Sequence, residues 1–492
     1  MASALDVKRL SLGVAATLAS AVLIYFGTGP DPFWPCMWFA LLPVLLFAVD
    51  ATWWGAMLAG GFSVMLGILN LWSYLRDVLG VPLPFIAQIY LSEGIAYALA
   101  LLLFRALMRR QAYWSALLAA PAVLVSFEWF LNLTSPHGTA GSLAYSQLTF
   151  LPYLQLASLT GPWGMSFLLL MFSSALAIGL KLYRKERRQV LQIAGVTGGL
   201  LVAVLVFGAV RLSLPAAGTP VKVGLVASDA RDHGNVADDG APTAELFQAY
   251  AQAAAKLAAQ GAQVIVLPEK IGVTVEPDTG KLDAQLQGLA EQTHARIVAG
   301  IVRVVPPSSG NALKLRYNEA RIYTPGAPVE SYDKEHMLPP FESNLTPGTM
   351  LALLQGSRAS DTWGVAICKD MDFTDVSRRY GEAGAGLLLV PAWDFVVDRI
   401  QHGHIAIMRG VEDGFSIVRS AKGGSLYVSD DRGRILGEAG SDSAPFATLL
   451  VDAPQSHDKT LFLLLGNWFA WVTVLLLALC LLQLYRRRNP RA

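Results

Sequence analysis

Eight runs of about 20 mostly apolar residues constrain this chain more than anything else in it. They fall at about 10–28, 35–51, 53–72, 84–107, 113–133, 162–182, 190–213 and 460–484. A helix of that length crosses the roughly 30 Å of hydrocarbon in a bilayer. The first run could be the core of a cleaved leader, but six more follow at once, so a retained span is expected. Charge tells the same story, because only 15% of the residues are charged where soluble domains carry about 25%. Residues 1–215 hold 12 Lys/Arg and 7 Asp/Glu, whereas residues 216–459 hold 22 and 30. A membrane part is thus followed by a mildly acidic, water-facing part, and no basic patch marks a nucleic-acid binder.

Basic residues orient the spans. They cluster at Lys8/Arg9, at Arg105/Arg109/Arg110, at Lys181 through Arg188, and at Arg486, Arg487, Arg488 and Arg491. All four clusters share one side if both termini are cytoplasmic, which sends residues 214–459 to the outer face. The expected domains are seven spans in 1–213, an extracytoplasmic domain in 214–459, an eighth span in 460–484 and a basic tail in 485–492. The long outer loop, about 134–160, carries Tyr145, Phe150 and Tyr153 and no Lys or Arg. Aromatics beside a membrane commonly anchor at its interface, and these three are read that way.

Pro215, Gly218 and Pro220 mark the start of the outer domain. Short β-rich runs follow at 221–227, 264–267, 296–305, 320–323, 363–367, 387–390, 416–419 and 425–428, with helix-like stretches at 243–260 and 282–293 between them. Strands alternating with helices predict a layered α/β domain. Cys36 and Cys480 lie in apolar runs, and only Cys368 sits among polar residues. No spacing suits a disulfide framework or a zinc site. His402 and His404 lack a supporting ligand nearby, so no metal is expected. Glu93 and Glu128 lie inside spans, where they serve either helix packing or the path of a lipid.

Three apolar segments each end in a reactive side chain: VIVLPE up to Glu269, VESYDK up to Lys334 and GVAIC up to Cys368. A carboxylate can deprotonate a thiol, and an ammonium can steady the oxyanion formed when the thiolate attacks a carbonyl. From spacing alone, a buried structural cysteine and solvated Glu and Lys explain the same residues.

These segments resemble the nitrilase superfamily, whose Glu-Lys-Cys triad has this chain order. The stretches YNEA (317–320) and YDKEHMLPPFE (332–342) resemble its lysine segment. With seven spans before the domain and one after, the chain resembles the apolipoprotein N-acyltransferase family. Glu128-Trp129, Tyr145-Ser146-Gln147, Gly161 with Ser166-Phe167, and the stretch from Met408-Arg409 to Arg419 fit it too. The resemblance implies a multi-pass helical membrane domain joined to an extracytoplasmic αββα nitrilase-like domain. It implies Glu269 as general base, Lys334 as oxyanion stabiliser and Cys368 as the nucleophile that becomes a thioester. Glu342 matches a second required glutamate, Asp370 stands where the family usually has Glu, and the backbone of Lys369 completes the oxyanion hole.

Trp393 opens the Trp-Asp-Phe that replaces the family's Trp-Phe-Gly. Lys369 replaces an aromatic, Ser228-Asp229 replace the end of a Gln-x-Asn, Ser135-Pro136-His137-Gly138 replace Gly-Phe-Pro-Trp, and Ser420-Ala421-Lys422-Gly423 replace Thr-Asn-x-Gly. The implied activity is ping-pong N-acyl transfer from a phospholipid donor to the N-terminal amine of a diacylglyceryl-cysteine lipoprotein acceptor. It implies a bacterial inner membrane setting among membrane lipids, no cofactor and a monomer. The altered shell keeps open a membrane-anchored amidase, or an acyltransferase with another acceptor. A silent lipid-binding scaffold is disfavoured by the retained triad.

Overall fold

A computed structural model describes residues 4–216, 218–229, 236–307, 315–358, 361–455 and 457–487. Arg488 and Arg491 of the basic tail lie outside those residues. The chain forms two compact units: 1–133 with 141–211 and 465–492, and 134–140 with 212–464.

In the first unit, seven helices among the described residues are long and apolar enough to cross a membrane. They are Val7–Gly27, Trp53–Leu71, Leu83–Arg109, Tyr113–Thr134, Ala157–Leu182, Arg187–Ser213 and Trp468–Arg486. The run at 35–51, expected as a single span, is instead two short helices, Pro35–Phe39 and Leu42–Asp50. Pro43 stands in the first turn of the second piece; lacking an N–H, it cannot continue the preceding ladder, so the helix restarts there. Within Ala157–Leu182, Gly161 adopts φ 62°, ψ −158° and Pro162 follows. Only glycine takes that backbone easily, and proline suits a first helical turn.

The outer-loop aromatics do not behave as interfacial anchors. Tyr145 is 2% and Tyr153 0% exposed, the Tyr153 hydroxyl donates to the Met165 carbonyl at 2.7 Å, and Phe150 stacks on Trp34 at 4.4 Å. The hydroxyl finds its partner within the protein, which removes the need to face headgroups. Glu128 takes the packing role. Its carboxylate accepts from the Leu143 N–H at 2.9 Å and from Ser142 and Ser166.

The second unit contains thirteen strands among the described residues. They are β1 (Pro220–Ala227), β2 (Val264–Val266), β3 (Val273–Val275), β4 (Arg296–Val305), β5 (Leu315–Tyr323), β6 (Glu330–Asp333), β7 (Ala352–Gln355), β8 (Thr362–Val365), β9 (Ala385–Trp393), β10 (Ser416–Lys422), β11 (Ser425–Ser429), β12 (Ile435–Gly440) and β13 (Ala447–Pro454). One sheet runs β13-β1-β2-β4-β5-β6, with β3 beside β4, and the other runs β12-β11-β10-β9-β8-β7. Alternation along the strands builds the layers. Val221, Val223, Leu225, Val264 and Val266 meet Ile367, Leu387, Leu389 and Val418 between the sheets. Their neighbours Val226, Ile265 and Leu267 face helices Ala241–Ala259 and Thr279–Thr293. On the far side, Leu388 and Val390 pack on Val376, Tyr380 and Ala406, which belong to helices Thr374–Glu382 and Arg399–Asp413. Helix, sheet, sheet, helix is therefore the order of layers. Three boundaries differ from the sequence-based division: residues 134–140 pack with this α/β unit, and so do residues 212–213 and residues 460–464, ahead of the last helix.

Candidate active site

Parallel strands deliver the reactive side chains to one end of the sandwich. β2 runs out through Leu267 and Pro268 to Glu269, whose N–H donates to the carbonyl of Ala392 in β9 at 3.2 Å and thereby spans the two sheets. Gly300 makes this crossing possible. A Cβ there would lie 2.4 Å from the Pro268 carbonyl oxygen and 2.5 Å from Glu269 Cα. Both obstacles are backbone and cannot swing away. Gly300→Ala is expected to cost about 1–3 kcal/mol as an overpacked core substitution and to move Glu269. A lowered melting temperature together with slowed thiol chemistry at Cys368 checks this.

Glu269, Lys334 and Glu342 form one buried ion cluster. Lys334 Nζ donates to Glu269 Oε1 at 2.8 Å and to Glu342 Oε2 at 2.9 Å. Asn318 Nδ2 bridges the same carboxylates, at 2.6 Å and 2.7 Å, and Lys270 Nζ reaches Glu342 Oε1 at 2.5 Å. Buried charges are tolerable when paired and hydrogen-bonded, and this set meets that condition. Burial opposes ionisation of Glu342, but Lys334 and Lys270 outweigh it and hold the carboxyl down at about 2. For Lys334 burial pulls the other way, yet Glu269 and Glu342 keep it firmly ammonium.

Cys368 follows β8 at the start of a short turn, Cys368–Asp372, with φ 41°, in the left-handed region that costs a non-glycine residue about 1–3 kcal/mol. Asp370 holds that turn. Its carboxylate accepts from the N–H of Ile367 at 3.0 Å, the N–H of His336 at 2.9 Å and the hydroxyl of Tyr332 at 2.8 Å. Burial raises Asp370 to about 6. The Cys368 thiol donates to the Trp393 carbonyl at 3.5 Å. Burial pushes this thiol well up, and the Glu269 charge adds to that; Lys334 opposes it. The resting sulfur is therefore a protonated thiol that needs a base before it can attack.

The other sequence-predicted residues fall around this centre. Trp393 carries the ammonium of Lys422 at 4.0 Å and that of Lys270 at 4.9 Å from its ring. Lys369 is buried, its ammonium 3.3 Å from His137 Nδ1 and 3.5 Å from Asp372. The two histidines of 402–404 part company. His402 Nδ1 lies 3.4 Å from Asp398 and 3.6 Å from Asp394, whereas His404 bonds to the Ile400 carbonyl.

Sequence reading overlooked three groups. Asn318 sits in the quoted YNEA stretch, yet nothing about an asparagine announces that it will bridge two carboxylates across 49 and 24 residues. Lys270 had a visible signal in a lysine directly after an apolar strand end. The Arg419–Asp394 pair, bidentate at 2.7 and 2.5 Å and fully buried, joins a residue that fits the family pattern to one that departs from it.

A helix-flanked double sheet with Glu, Lys and Cys gathered at strand ends defines the carbon–nitrogen hydrolase class, and residues 227–452 match the family model described as carbon-nitrogen hydrolase. Residues 20–175 match the model for the apolipoprotein N-acyltransferase N-terminal domain. Both domains are present in this order, the arrangement that apolipoprotein N-acyltransferases share. Among relatives of this chain, the apolipoprotein N-acyltransferase of Geobacter metallireducens is 26% identical, with 92% of each chain covered. That of Gloeobacter violaceus is 24% identical over 98% of this chain and 95% of its own. An amidase from Nesterenkonia sp. overlays 50% of this chain and 94% of its own at 22% identity, with a TM-score of 0.39.

Proposed function

We propose that this protein transfers a fatty acyl chain from a phospholipid to the N-terminal amine of a diacylglyceryl-cysteine lipoprotein, through a thioester on Cys368. The observation that carries this reading is the closed Glu269–Lys334–Glu342 cluster, whose charges act on a thiol that is protonated at rest. In the first step Glu269 accepts the Cys368 proton while sulfur attacks the acyl ester carbonyl. Lys334 and the N–H of Lys369 stabilise the oxyanion. The tetrahedral intermediate collapses, the C–O bond breaks, and lysophospholipid leaves as its alcohol, protonated by Glu269. In the second step the lipoprotein amine attacks the thioester and passes a proton to Glu269. The C–S bond breaks, Cys368 recovers its proton, and an amide is released. An amide lies below a thioester in free energy, so the transfer needs no external energy source. Glu342, itself held by Lys270, anchors Lys334, and Asp370 holds the Cys368 turn.

The clusters of Lys and Arg support a bacterial plasma-membrane protein with cytoplasmic termini and the α/β domain on the outer, periplasmic face. There both lipid substrates are met without drawing their chains out of hydrocarbon, which would cost about 0.8 kcal/mol per CH₂.

Intact-mass spectrometry of the purified protein after incubation with phosphatidylethanolamine tests the reading. An acyl-sized mass increase is expected, absent in Cys368→Ala and discharged by a diacylated lipopeptide. Discharge by water alone would point instead to a hydrolase, and an adduct persisting in Cys368→Ala would remove the thioester.

A further inference from the structure

We infer that His137 and Lys369 form a positioning pair that fixes the peptide unit next to Cys368. The inference rests on the reading of Cys368 as the nucleophile and concerns how its turn is held in shape.

Lys369 is the residue after the sulfur, and it is only 5% exposed. A lysine so placed must bury its ammonium, which is costly without partners. Those partners are His137 Nδ1 at 3.3 Å, Asp372 Oδ2 at 3.5 Å and the face of Phe373, 5.6 Å from its centroid. The charges acting most strongly on the Cys368 thiol are those of Glu269, Lys334, Asp394 and Arg419. Lys369, although adjacent in sequence, is not among them. Its side chain is committed to the segment 134–140, and its backbone is what stays beside the sulfur.

That segment grips the turn at two further points. The N–H and the hydroxyl of Thr139 both donate to the Asp372 carbonyl, at 3.0 and 2.5 Å. Gly138 has φ 55°, and a Cβ on it would come within 2.6 Å of the same carbonyl oxygen and 3.0 Å of the Phe373 ring. Three consecutive residues, His137, Gly138 and Thr139, thus lie against the five-residue turn that begins at Cys368. Two separately noted departures from the family pattern, at 135–138 and at 369, turn out to be partners.

For Nδ1 to accept, His137 must be neutral with its proton on Nε2. Burial and the neighbouring Lys369 push His137 down to about 4, with Asp372 opposing them. The charged groups facing it are Lys369 and Asp372, and His336 lies across the Phe373 ring at 3.5 Å. Protonated His137 would set two cations against each other and release Lys369. A group whose folded value lies below its unfolded one of about 6.5 contributes stability above that pH and loses it as the pH falls toward 4.

The test uses the full chain in detergent and two readouts: acyl-enzyme formation from phosphatidylethanolamine, and alkylation of Cys368 by iodoacetamide. His137→Ala and Lys369→Met are each expected to slow both reactions about 10- to 100-fold, the scale of a misplaced reacting group. The saturating acylation rate should fall while the half-saturating lipid concentration stays put. The double variant should be no slower than either single one, because the residues act together. His137→Gln, a neutral acceptor, should restore the rate, and in thermal melts it should abolish the loss of stability between about pH 6.5 and 4. Additive single effects, or a glutamine variant as slow as the alanine one, would overturn the pair. If the wild-type protein forms no acyl-enzyme, the proposed transfer fails, and alkylation still decides the inference.

Discussion

Replacing Lys334 by methionine should abolish acyl-enzyme formation and destabilise the α/β domain by about 3 kcal/mol. Methionine fills much of the same volume, so packing is not the main loss. The loss is electrostatic, because Lys334 is shared by two buried carboxylates at 2.8 and 2.9 Å. Removing one partner from a buried ion set leaves charge uncompensated, which typically costs about 3–5 kcal/mol. The lower end is expected because Lys270 still reaches Glu342 at 2.5 Å and approaches Glu269 at 3.9 Å. The pH dependence should move as well. Glu342 is now held down at about 2, so its ion pairing contributes stability above the ordinary carboxylate range and loses it as pH falls toward 2. Without Lys334 the folded value moves back toward the unfolded one, so that acid-side loss should shrink and finish at higher pH. Thermal melts of wild-type and Lys334→Met protein between pH 3 and 7 check this, and parallel curves would contradict the shared-lysine account.

Glu269→Gln isolates the chemistry from the fold. Glutamine keeps the shape and can still accept from Lys334 and Asn318 through its amide oxygen, but it cannot take a proton. The acylation rate should therefore fall about 10²- to 10⁴-fold, the usual worth of a positioned general base. The melting temperature should change much less than in Lys334→Met. The contrast matters because Cys368 carries its proton at rest, held there by burial and by the Glu269 charge itself. Glutamine removes that charge, so the thiol should become slightly easier to ionise even as acyl transfer collapses. Measuring the pH dependence of Cys368 alkylation alongside acylation separates the two effects. If acylation survives near the wild-type rate, the base is another group.

Much of this was legible from the chain because apolar periodicity survives intact in both units. All eight β-rich runs correspond to strands, and the residues that end three apolar segments, Glu269, Lys334 and Cys368, do occupy one site. Short strands such as Val273–Val275 and Ala352–Gln355 escaped because three or four residues show no reliable alternation. The stretch at 35–51 misled because hydropathy counts apolar residues and is blind to the missing N–H of Pro43. Tyr145 and Tyr153 misled for a related reason: composition cannot tell a tyrosine that meets a headgroup from one buried inside the protein, as Tyr153 is against the Met165 carbonyl. The partners of His137, Asn318 and Asp394 lie 24 to 232 residues away, and single-sequence reasoning has no means of pairing such groups before the topology is known.

The pairing of β13 with β1 carries a consequence for how the domain is made. The two strands run antiparallel with Pro220 opposite Pro454 and Ala227 opposite Ala447. On its other side β1 shares only three paired positions with β2. Until about 230 further residues have been synthesised, β1 has one open flank, lined with backbone donors and acceptors that invite a foreign strand. Closure waits for the last strand of the domain, a contact of very long sequence separation and therefore slow to form. A nascent chain stalled before β13 should be the species that aggregates or recruits a chaperone, while one stalled just after it should already resist protease.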